Sequence, residues 1–181
     1  MDGVVMTREV SPDDWETVRD VRLTALREAP DAFGSTYARE AAFTEERWRA
    51  RFGPRSVTYL AYLADAAGQA DPADPADAAE PAGIAGVLEE DGATELVSMW
   101  VRPSARGRRA GEALVAACAG WARARGHDEL FLWVTESNAS ARRLYERCGF
   151  SATGERQPLP SDPSLAEIRM RRDLPLTGPL A

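Results

Sequence analysis

A short basic turn is the first stretch of the sequence whose residue types could do chemistry. It has three arginines and two glycines in six residues, Arg106-Gly107-Arg108-Arg109-Ala110-Gly111, between a predicted strand and a predicted helix. The first amides of a helix have no acceptor within the helix, and the helix dipole is positive at that end. Backbone N–H groups beside fixed positive charges bind phosphate well. The turn is therefore predicted to bind a phosphorylated ligand.

A second candidate group lies on a short predicted helix further along the chain. Asn138 stands where a helix N-cap is expected, and Gly149 where a left-handed residue ends a helix. Tyr145 follows Asn138 by two helical turns, so both side chains lie on one face. A tyrosine hydroxyl in a cleft can give a proton to a leaving group. Spacing alone, however, is more typical of a core tyrosine, and capping alone explains the asparagine.

The elements around the basic turn predict a parallel strand–helix–strand unit. The first strand ends at Val101, the helix runs from Ala110 to Arg125 with one apolar face, and an apolar strand follows over Leu130–Val134. Two strands joined by a helix in this way are parallel in one sheet. The basic turn then lies where the first strand meets the helix, which is a place where a ligand can bind.

Other elements are predicted on both sides of this unit. The hydrophobic patterns and turn residues predict strands over 4–10, 56–63, 84–89, 150–153 and 166–170, and helices over 11–28 and 44–52. The polar, proline-rich stretch 157–164 is predicted to be a loop. Residues 1–174 are expected to form one domain, with a loose tail over 175–181. The Ala-, Asp- and Pro-rich stretch 64–83 is expected to be a mobile loop, because it has almost no large apolar side chain.

The composition limits the classes of partner. The formal net charge of −7 argues against nucleic acid and an anionic membrane surface as partners, and no run is long enough to span a membrane. All 22 basic residues are arginines, which favours forked contacts to carboxylate or phosphate. Cys118 and Cys148 occupy apolar helical positions and are expected to be reduced thiols, which predicts a cytoplasmic location.

Two sequence blocks together resemble the GNAT superfamily of acyl-CoA-dependent N-acetyltransferases. The first has the pattern V-x-P-x-x-R-G-x-x-x-G from Val101 to Gly111, and the second has N-x-x-A-x-x-x-Y-x-x-x-G-F from Asn138 to Phe150. The resemblance extends from the first strand to Met170. It implies an α/β (α+β) fold with a mixed, mostly antiparallel central sheet, a parallel βαβ unit and splayed central strands.

The resemblance also implies a cofactor site. Acetyl-CoA, used as a co-substrate without a metal, is expected between the strand that ends at Val101 and the strand Leu130–Val134. Its pantetheine arm would bond to backbone of Met99, Trp100 and Val101. Its pyrophosphate would lie on the amides of Arg106, Gly107, Arg108, Arg109, Ala110, Gly111 and Glu112. Asn138 is expected to contact the CoA as well.

The implied reaction moves an acetyl group to a primary amine of a small molecule or peptide, by direct attack through a tetrahedral intermediate. Glu95 is expected to take the amine proton, with Glu89, Glu90 or a water as alternatives. A backbone N–H near Met99 or Trp100 would stabilise the oxyanion, and Tyr145 would protonate the leaving thiolate. His127 and Cys148 are expected to be structural. Because dimers are common among proteins of this kind, the resemblance also makes a homodimer one of the expectations.

Two other functions remain as alternatives at this point. One is a catalytically silent module that binds or senses acyl-CoA. The other is a nucleotide-phosphate domain, which is disfavoured because neither G-x-x-x-x-G-K nor G-x-G-x-x-G occurs in the sequence.

Arg109 departs from the family pattern, and the acceptor pocket is not covered by it. Arg109 stands where the family usually has glycine, and we expect it to adopt helical backbone angles with its side chain outward. The acceptor pocket is expected between the first two helices and the stretches 31–37 and 157–164, which the sequence does not decode further. Its candidate apolar residues are Phe33, Tyr37, Trp48 and Trp133, and its candidate anions are Glu40, Glu45 and Glu46.

Overall fold

The computed structural model describes residues 4–63, 80–90 and 92–175. Seven strands form one sheet: β1 (Val5–Glu9), β2 (Ser56–Leu63), β3 (Gly83–Glu90), β4 (Ala93–Val101), β5 (Glu129–Thr135), β6 (Ser151–Leu159) and β7 (Asp162–Asp173). The α-helices are α1 (Trp15–Glu28), α2 (Tyr37–Ala41), α3 (Glu45–Arg49), α4 (Ala110–Ala124) and α5 (Ala139–Arg147). Most of the predicted elements are present, and α3 is shorter than the helix predicted over 44–52.

The sheet is mixed, and its two central strands diverge. The strand order is β1-β2-β3-β4-β5-β7-β6, and every neighbouring pair is antiparallel except β4 and β5. The parallel pair is in register only at Glu95 and Phe131. Beyond that point β4 leaves β5, and its backbone loses a neighbour on that side. The predicted fold class, including the splayed central strands, is confirmed.

A bulge in β4 reverses which face of the sheet its residues meet. The register with β3 shifts between Ile84 and Gly86, and Ser98 opposite this point has a φ of 58°. Leu96 packs in the core under α4, whereas Trp100 packs in the core under α1. Without the bulge both residues would lie on one face, because strand side chains alternate.

The C-terminal strands correct one sequence prediction. The stretch 157–164 is not a loop, because β6 continues to Leu159 and β7 begins at Asp162. Leu159 pairs with Asp162, so only Pro160 and Ser161 form the turn. Pro158 is tolerated because β6 is an edge strand of the sheet.

The predicted loop over 64–83 is only partly within the described residues. Residues 64–79 and 176–181 lie outside them, so the expected mobility of the loop and most of the expected tail are not addressed. The predicted C-terminal boundary of the loop, at residue 83, was wrong. Gly83 is already the first residue of β3, and Ala82 before it is buried. An alanine and a glycine give no apolar signal in the sequence, although both fit the tight space beside β4.

Candidate functional site

A cleft of about 560 Å³ opens where β4 and β5 separate. The ends of α1 and β4, the start of α4, the end of β5 and one face of α5 form its walls. Eleven of the predicted site residues line it: Met99, Trp100, Val101, Arg106, Gly107, Arg109, Ala110, Gly111, Glu112, Asn138 and Tyr145. Arg108 and Glu95 are not in its walls. The structure therefore brings the two sequence blocks together around a single cavity.

The basic turn has two residues in left-handed conformation. Gly107 has a φ of 77°, as a glycine readily does. Arg109 has φ 65° and ψ 11° and is the N-cap of α4, so the prediction of helical backbone angles for Arg109 was wrong. The chain has to reverse direction before α4 begins, and the residue just before the helix takes the left-handed angles. For a residue with a Cβ atom this conformation costs about 1 to 2 kcal/mol.

The amides of the turn are not all free for a ligand. The N–H of Arg106 donates to Pro103 O and that of Arg108 donates to Ala105 O, both at 3.3 Å. These two residues were predicted to offer their amides to pyrophosphate. The amides of Ala110, Gly111 and Glu112 begin α4 and have no acceptor in the helix. Anion binding by backbone is therefore concentrated at the first turn of α4.

Gly111 has a packing role that the sequence did not indicate. It is buried where α4 meets α5, and a Cβ atom at this position would lie 2.8 Å from Leu144 Cδ2. The absence of a side chain lets the two helices approach closely. Gly111 thus sets the distance between the phosphate-binding turn and the helix that bears Tyr145.

Tyr145 and Asn138 face the same cleft from α5. The side chain of Asn138 caps α5 by accepting the N–H of Ala141 at 3.1 Å, which leaves its amide nitrogen as a donor for a ligand. Tyr145 is buried and packs edge to face on Phe150. Burial, and then the nearby thiols of Cys118 and Cys148, raise the pKa of Tyr145 above its usual value. Its hydroxyl therefore stays protonated at neutral pH, which a general acid requires.

Arg106 does not extend freely into the cleft. Its Nη2 donates to both carboxylate oxygens of Glu28, at 2.8 and 3.0 Å, and its Nε donates to Val101 O at 3.1 Å. Glu28 is the last residue of α1 and also accepts the indole N–H of Trp100 at 2.8 Å. We call this contact the Glu28–Arg106 bridge. It joins two elements that are 78 residues apart in sequence.

The three candidate base residues differ in their distance from the cleft. Glu95 pairs with Phe131, and the wall of the cleft begins at Trp133, two residues further along β5 or roughly 7 Å. Glu95 Oε1 lies 3.6 Å from Arg169 Nη2. Glu89 and Glu90 pair with Thr94 and Ala93, even further from the cleft.

Glu89 is unsuited to the role of base for a second reason. Hydrogen bonds from Arg125 and His127 lower the pKa of Glu89 to about 2. A carboxylate that binds a proton so weakly is a poor base. His127 lies 2.9 Å from Glu89 through Nε2, in the turn after α4 and outside the cleft walls. Cys148 is partly buried against the core, and both cysteines are free thiols.

The predicted acceptor residues divide into two groups. Phe33 and Trp133 line the cleft, and Ser161 donates to Phe33 O from the turn between β6 and β7, so the predicted neighbours do meet. Trp48 is buried in the core instead, and Tyr37 stacks with Arg27.

Glu40 is not available to a substrate cation. It is buried, and it accepts three hydrogen bonds from Arg22 and one from Arg51. Its predicted role as an anion for the acceptor was wrong, because the charge is already neutralised inside the protein. Glu45 is exposed and pairs with Arg49 on the same helix.

Several polar residues of the cleft were missed by sequence reasoning. Glu28, Thr135, Ser140, Arg143 and Arg147 all line it. Arg147 pairs with Glu112 at 3.0 Å, which links α5 to the start of α4. Arg143 and Arg147 are one helical turn apart, a basic i, i+4 pair that was visible in the sequence.

Two structural searches gave negative results over the described part of the chain. In residues 4–63, 80–90 and 92–175, no group of three or more His, Cys, Asp or Glu side chains is arranged to hold a metal ion. No helix in the same ranges is long and apolar enough to cross a membrane.

Comparisons with known proteins give one family and one fold. The acetyltransferase (GNAT) family model matches residues 24–150. Among solved structures, the ribosomal-protein-S18-alanine N-acetyltransferase from Escherichia coli is 17% identical, with a TM-score of 0.66 over 98% of this chain and 99% of that one. Nourseothricin acetyltransferase is 27% identical, with a TM-score of 0.54 over 67% of each chain.

A third solved structure contains coenzyme A. It is the PaiA N-acetyltransferase from Thermoplasma acidophilum, which is 14% identical, with a TM-score of 0.61 over 94% of this chain and 99% of that one. A search of the curated proteins found no significant match. At such identities the likeness to the Escherichia coli and Thermoplasma acidophilum enzymes shows the shared fold alone.

Proposed function

Because the chain belongs to the GNAT family of acetyltransferases, we propose that it moves the acetyl group of acetyl-CoA to a primary amine of a small molecule or peptide. One observation carries this proposal. The cleft between the splayed strands holds the first turn of α4 and the protonated hydroxyl side chain of Tyr145 within the same walls. Phosphate binding and acid catalysis are thus available in one cavity.

The residues present fit an acyl-CoA. Beyond Glu95, β4 has no strand neighbour on the β5 side, so backbone near Met99 and Val101 can pair with the amides of a pantetheine arm. The amides of Ala110, Gly111 and Glu112 suit the pyrophosphate. Arg109 and Arg143 add positive charge to the same walls, and Asn138 adds an amide donor.

The side chains of the cleft suit acetyl transfer to nitrogen. An alkylamine has a pKa of about 10 and must lose a proton before it attacks the thioester carbonyl. Glu95 is not among the residues that line the cleft, so we propose that it accepts this proton through water. A backbone N–H near Met99 or Trp100 stabilises the oxyanion of the tetrahedral intermediate. As the C–S bond breaks, Tyr145 gives its proton to the thiolate.

The residues that line the cleft do not specify one class of acceptor. Phe33 and Trp133 add aromatic side chains to its walls, and its two acidic lining residues, Glu28 and Glu112, are already paired with Arg106 and Arg147. Related folds act on very different amines by name, namely an alanine of ribosomal protein S18 and nourseothricin. We therefore propose a screen of amino acids, polyamines, aminoglycosides and peptide N-termini, with CoA release as the measurement.

One observation favours a second function, a silent acyl-CoA-binding module. Glu95 is outside the cleft and is paired with Arg169, and the two carboxylates that line the cleft, Glu28 and Glu112, are paired with Arg106 and Arg147. A thermal shift with acetyl-CoA but no CoA release with any amine of the screen would support the silent module. The absence of a thermal shift with acetyl-CoA would contradict both functions.

A further inference from the structure

Two of the three guanidinium nitrogens of Arg106, Nε and Nη2, donate hydrogen bonds to protein groups. Nη2 donates to both carboxylate oxygens of Glu28, and Nε donates to the carbonyl oxygen of Val101. The side chain is nevertheless about half exposed, at 51%. Arginine in this geometry makes directional contacts that depend on its shape as well as on its charge.

The position of Glu28 explains why it holds an arginine. A carboxylate at the C-terminal end of a helix is disfavoured by the helix dipole, and Glu28 is the last residue of α1. The positive charge of Arg106 and the indole N–H of Trp100 offset this cost. Three parts of the wall meet at one carboxylate as a result: the end of α1, strand β4 and the basic turn.

We propose that Arg106 is a positioning residue and that its side chain is not a phosphate ligand. Through the Glu28–Arg106 bridge it fixes the carbonyl of Val101, where β4 ends, and holds the basic turn against α1. The proposal rests on the proposed function, since it concerns where CoA lies in the cleft. The side chains left to meet the phosphates are those of Arg109 and Arg143, which line the same walls.

The substitution Arg106→Lys distinguishes a positioning residue from a phosphate ligand. Lysine has one ammonium group and can contact a phosphate as a point charge. It cannot meet Glu28 and the Val101 carbonyl at once with the geometry of the arginine fork. A phosphate ligand therefore tolerates Arg106→Lys, whereas a positioning arginine does not.

The test measures CoA binding by calorimetry at several salt concentrations. We expect Arg106→Gln and Arg106→Lys each to weaken CoA binding about five- to tenfold. Neither should change the slope of log Kd against log salt concentration, because no charge–phosphate contact is lost. Arg143→Gln should reduce that slope by about one charge. Arg123→Gln, at the exposed end of α4 and outside the cleft walls, is the charge-matched control and should bind CoA as the wild type does.

The bridge itself is tested without ligand. We expect Glu28→Gln and Arg106→Gln each to lower Tm by about 2 °C, and the double variant to lower it no further than either single variant. Additive losses would show that the two side chains act separately and would contradict the bridge.

Different results would overturn the role of Arg106 and the proposed function. Wild-type affinity for CoA in Arg106→Lys, with a reduced salt slope in Arg106→Gln, would make Arg106 a phosphate ligand and overturn the inference alone. A wild-type protein that binds no CoA would overturn the proposed function, and the cofactor role of the bridge with it.

Discussion

Gly111 of α4 lies so close to Leu144 of α5 that a Cβ atom at 111 would come within 2.8 Å of Leu144 Cδ2. The two helices carry the two halves of the cleft, since α4 begins at the basic turn and α5 bears Tyr145. This glycine therefore matters for the distance between the phosphate-binding end and the acid.

Gly111→Ala should destabilise the protein because Leu144 or the whole of α5 has to move. Gly120 is a matched control on the same helix, since a Cβ atom there meets nothing within 4 Å. Gly120→Ala should gain about 0.5 to 1 kcal/mol from helix propensity. We expect Gly111→Ala to be less stable than Gly120→Ala by about 1 to 3 kcal/mol in urea unfolding. Equal stability of the two variants would contradict the close packing.

Arg109→Gly should change stability and CoA affinity in opposite directions. Glycine relieves the left-handed strain at φ 65°, and its greater entropy in the unfolded chain offsets part of the gain. We expect a net stabilisation of about 0.5 to 1 kcal/mol. Loss of the charge should weaken CoA binding about three- to tenfold, as measured by calorimetry. Arg109→Lys keeps both strain and charge, so its stability and affinity should stay close to those of the wild type.

Tyr145→Phe should lower turnover and leave CoA binding nearly unchanged. Removal of a general acid costs about 100-fold or more in kcat, whereas the ring still fills its place against Phe150. Burial raises the pKa of Tyr145, so the wild-type rate profile should show no loss of this acid near pH 10. Tyr59→Phe is the control, because Tyr59 on β2 lies outside the cleft walls. An unchanged kcat in Tyr145→Phe would remove Tyr145 from the mechanism.

Glu95→Gln should slow the reaction most at neutral pH. An amine with a pKa of about 10 is almost fully protonated at pH 7 and needs a base, whereas near pH 10 about half of it is already neutral. We expect a loss of about 10- to 100-fold in kcat/KM at pH 7 that shrinks as the pH rises. Glu89→Gln should show no such pattern, since hydrogen bonds from Arg125 and His127 hold the pKa of Glu89 near 2.

Glu40→Gln should cost about 3 to 5 kcal/mol, because it leaves the buried Arg22 without its counter-charge. Burial alone would raise the pKa of Glu40, but the hydrogen bonds and charge of Arg22, with the charge of Arg51, outweigh it and lower that pKa. A lowered pKa in the folded state stabilises the protein above the unfolded pKa of about 4.3, and this stabilisation is lost as the pH falls through the folded value.

The difference in unfolding free energy between the wild type and Glu40→Gln should therefore be largest at neutral pH and should shrink below about pH 4. Urea unfolding from pH 7 to pH 3 measures it. Glu45→Gln, which breaks only an exposed pair with Arg49, should change stability by less than about 0.5 kcal/mol. A loss in Glu45→Gln as large as that in Glu40→Gln would contradict the importance of burial.

Local signals explain what the sequence predicted well. Asn138 caps α5, Gly149 ends it with a φ of 88°, and the apolar run of β5 forms a strand in which Leu130, Leu132 and Val134 are buried. Each of these features depends on a few neighbouring residues. The prediction of a loop over 157–164 also relied on local composition. It was wrong because an exposed edge strand has the polar composition of a loop.

The sequence by itself determined the order of most elements, the family blocks and about half of the residues that line the cleft. These features depend on local signals, namely the hydrophobic periodicity of each segment, its helix caps and its turn residues. Only the tertiary structure decided that Arg106 is held by Glu28, that Gly111 makes room for Leu144, and that Glu40 is buried with Arg22. These are contacts between distant segments. A hydrophobic pattern shows that a side chain is buried, but it does not show which partner it meets.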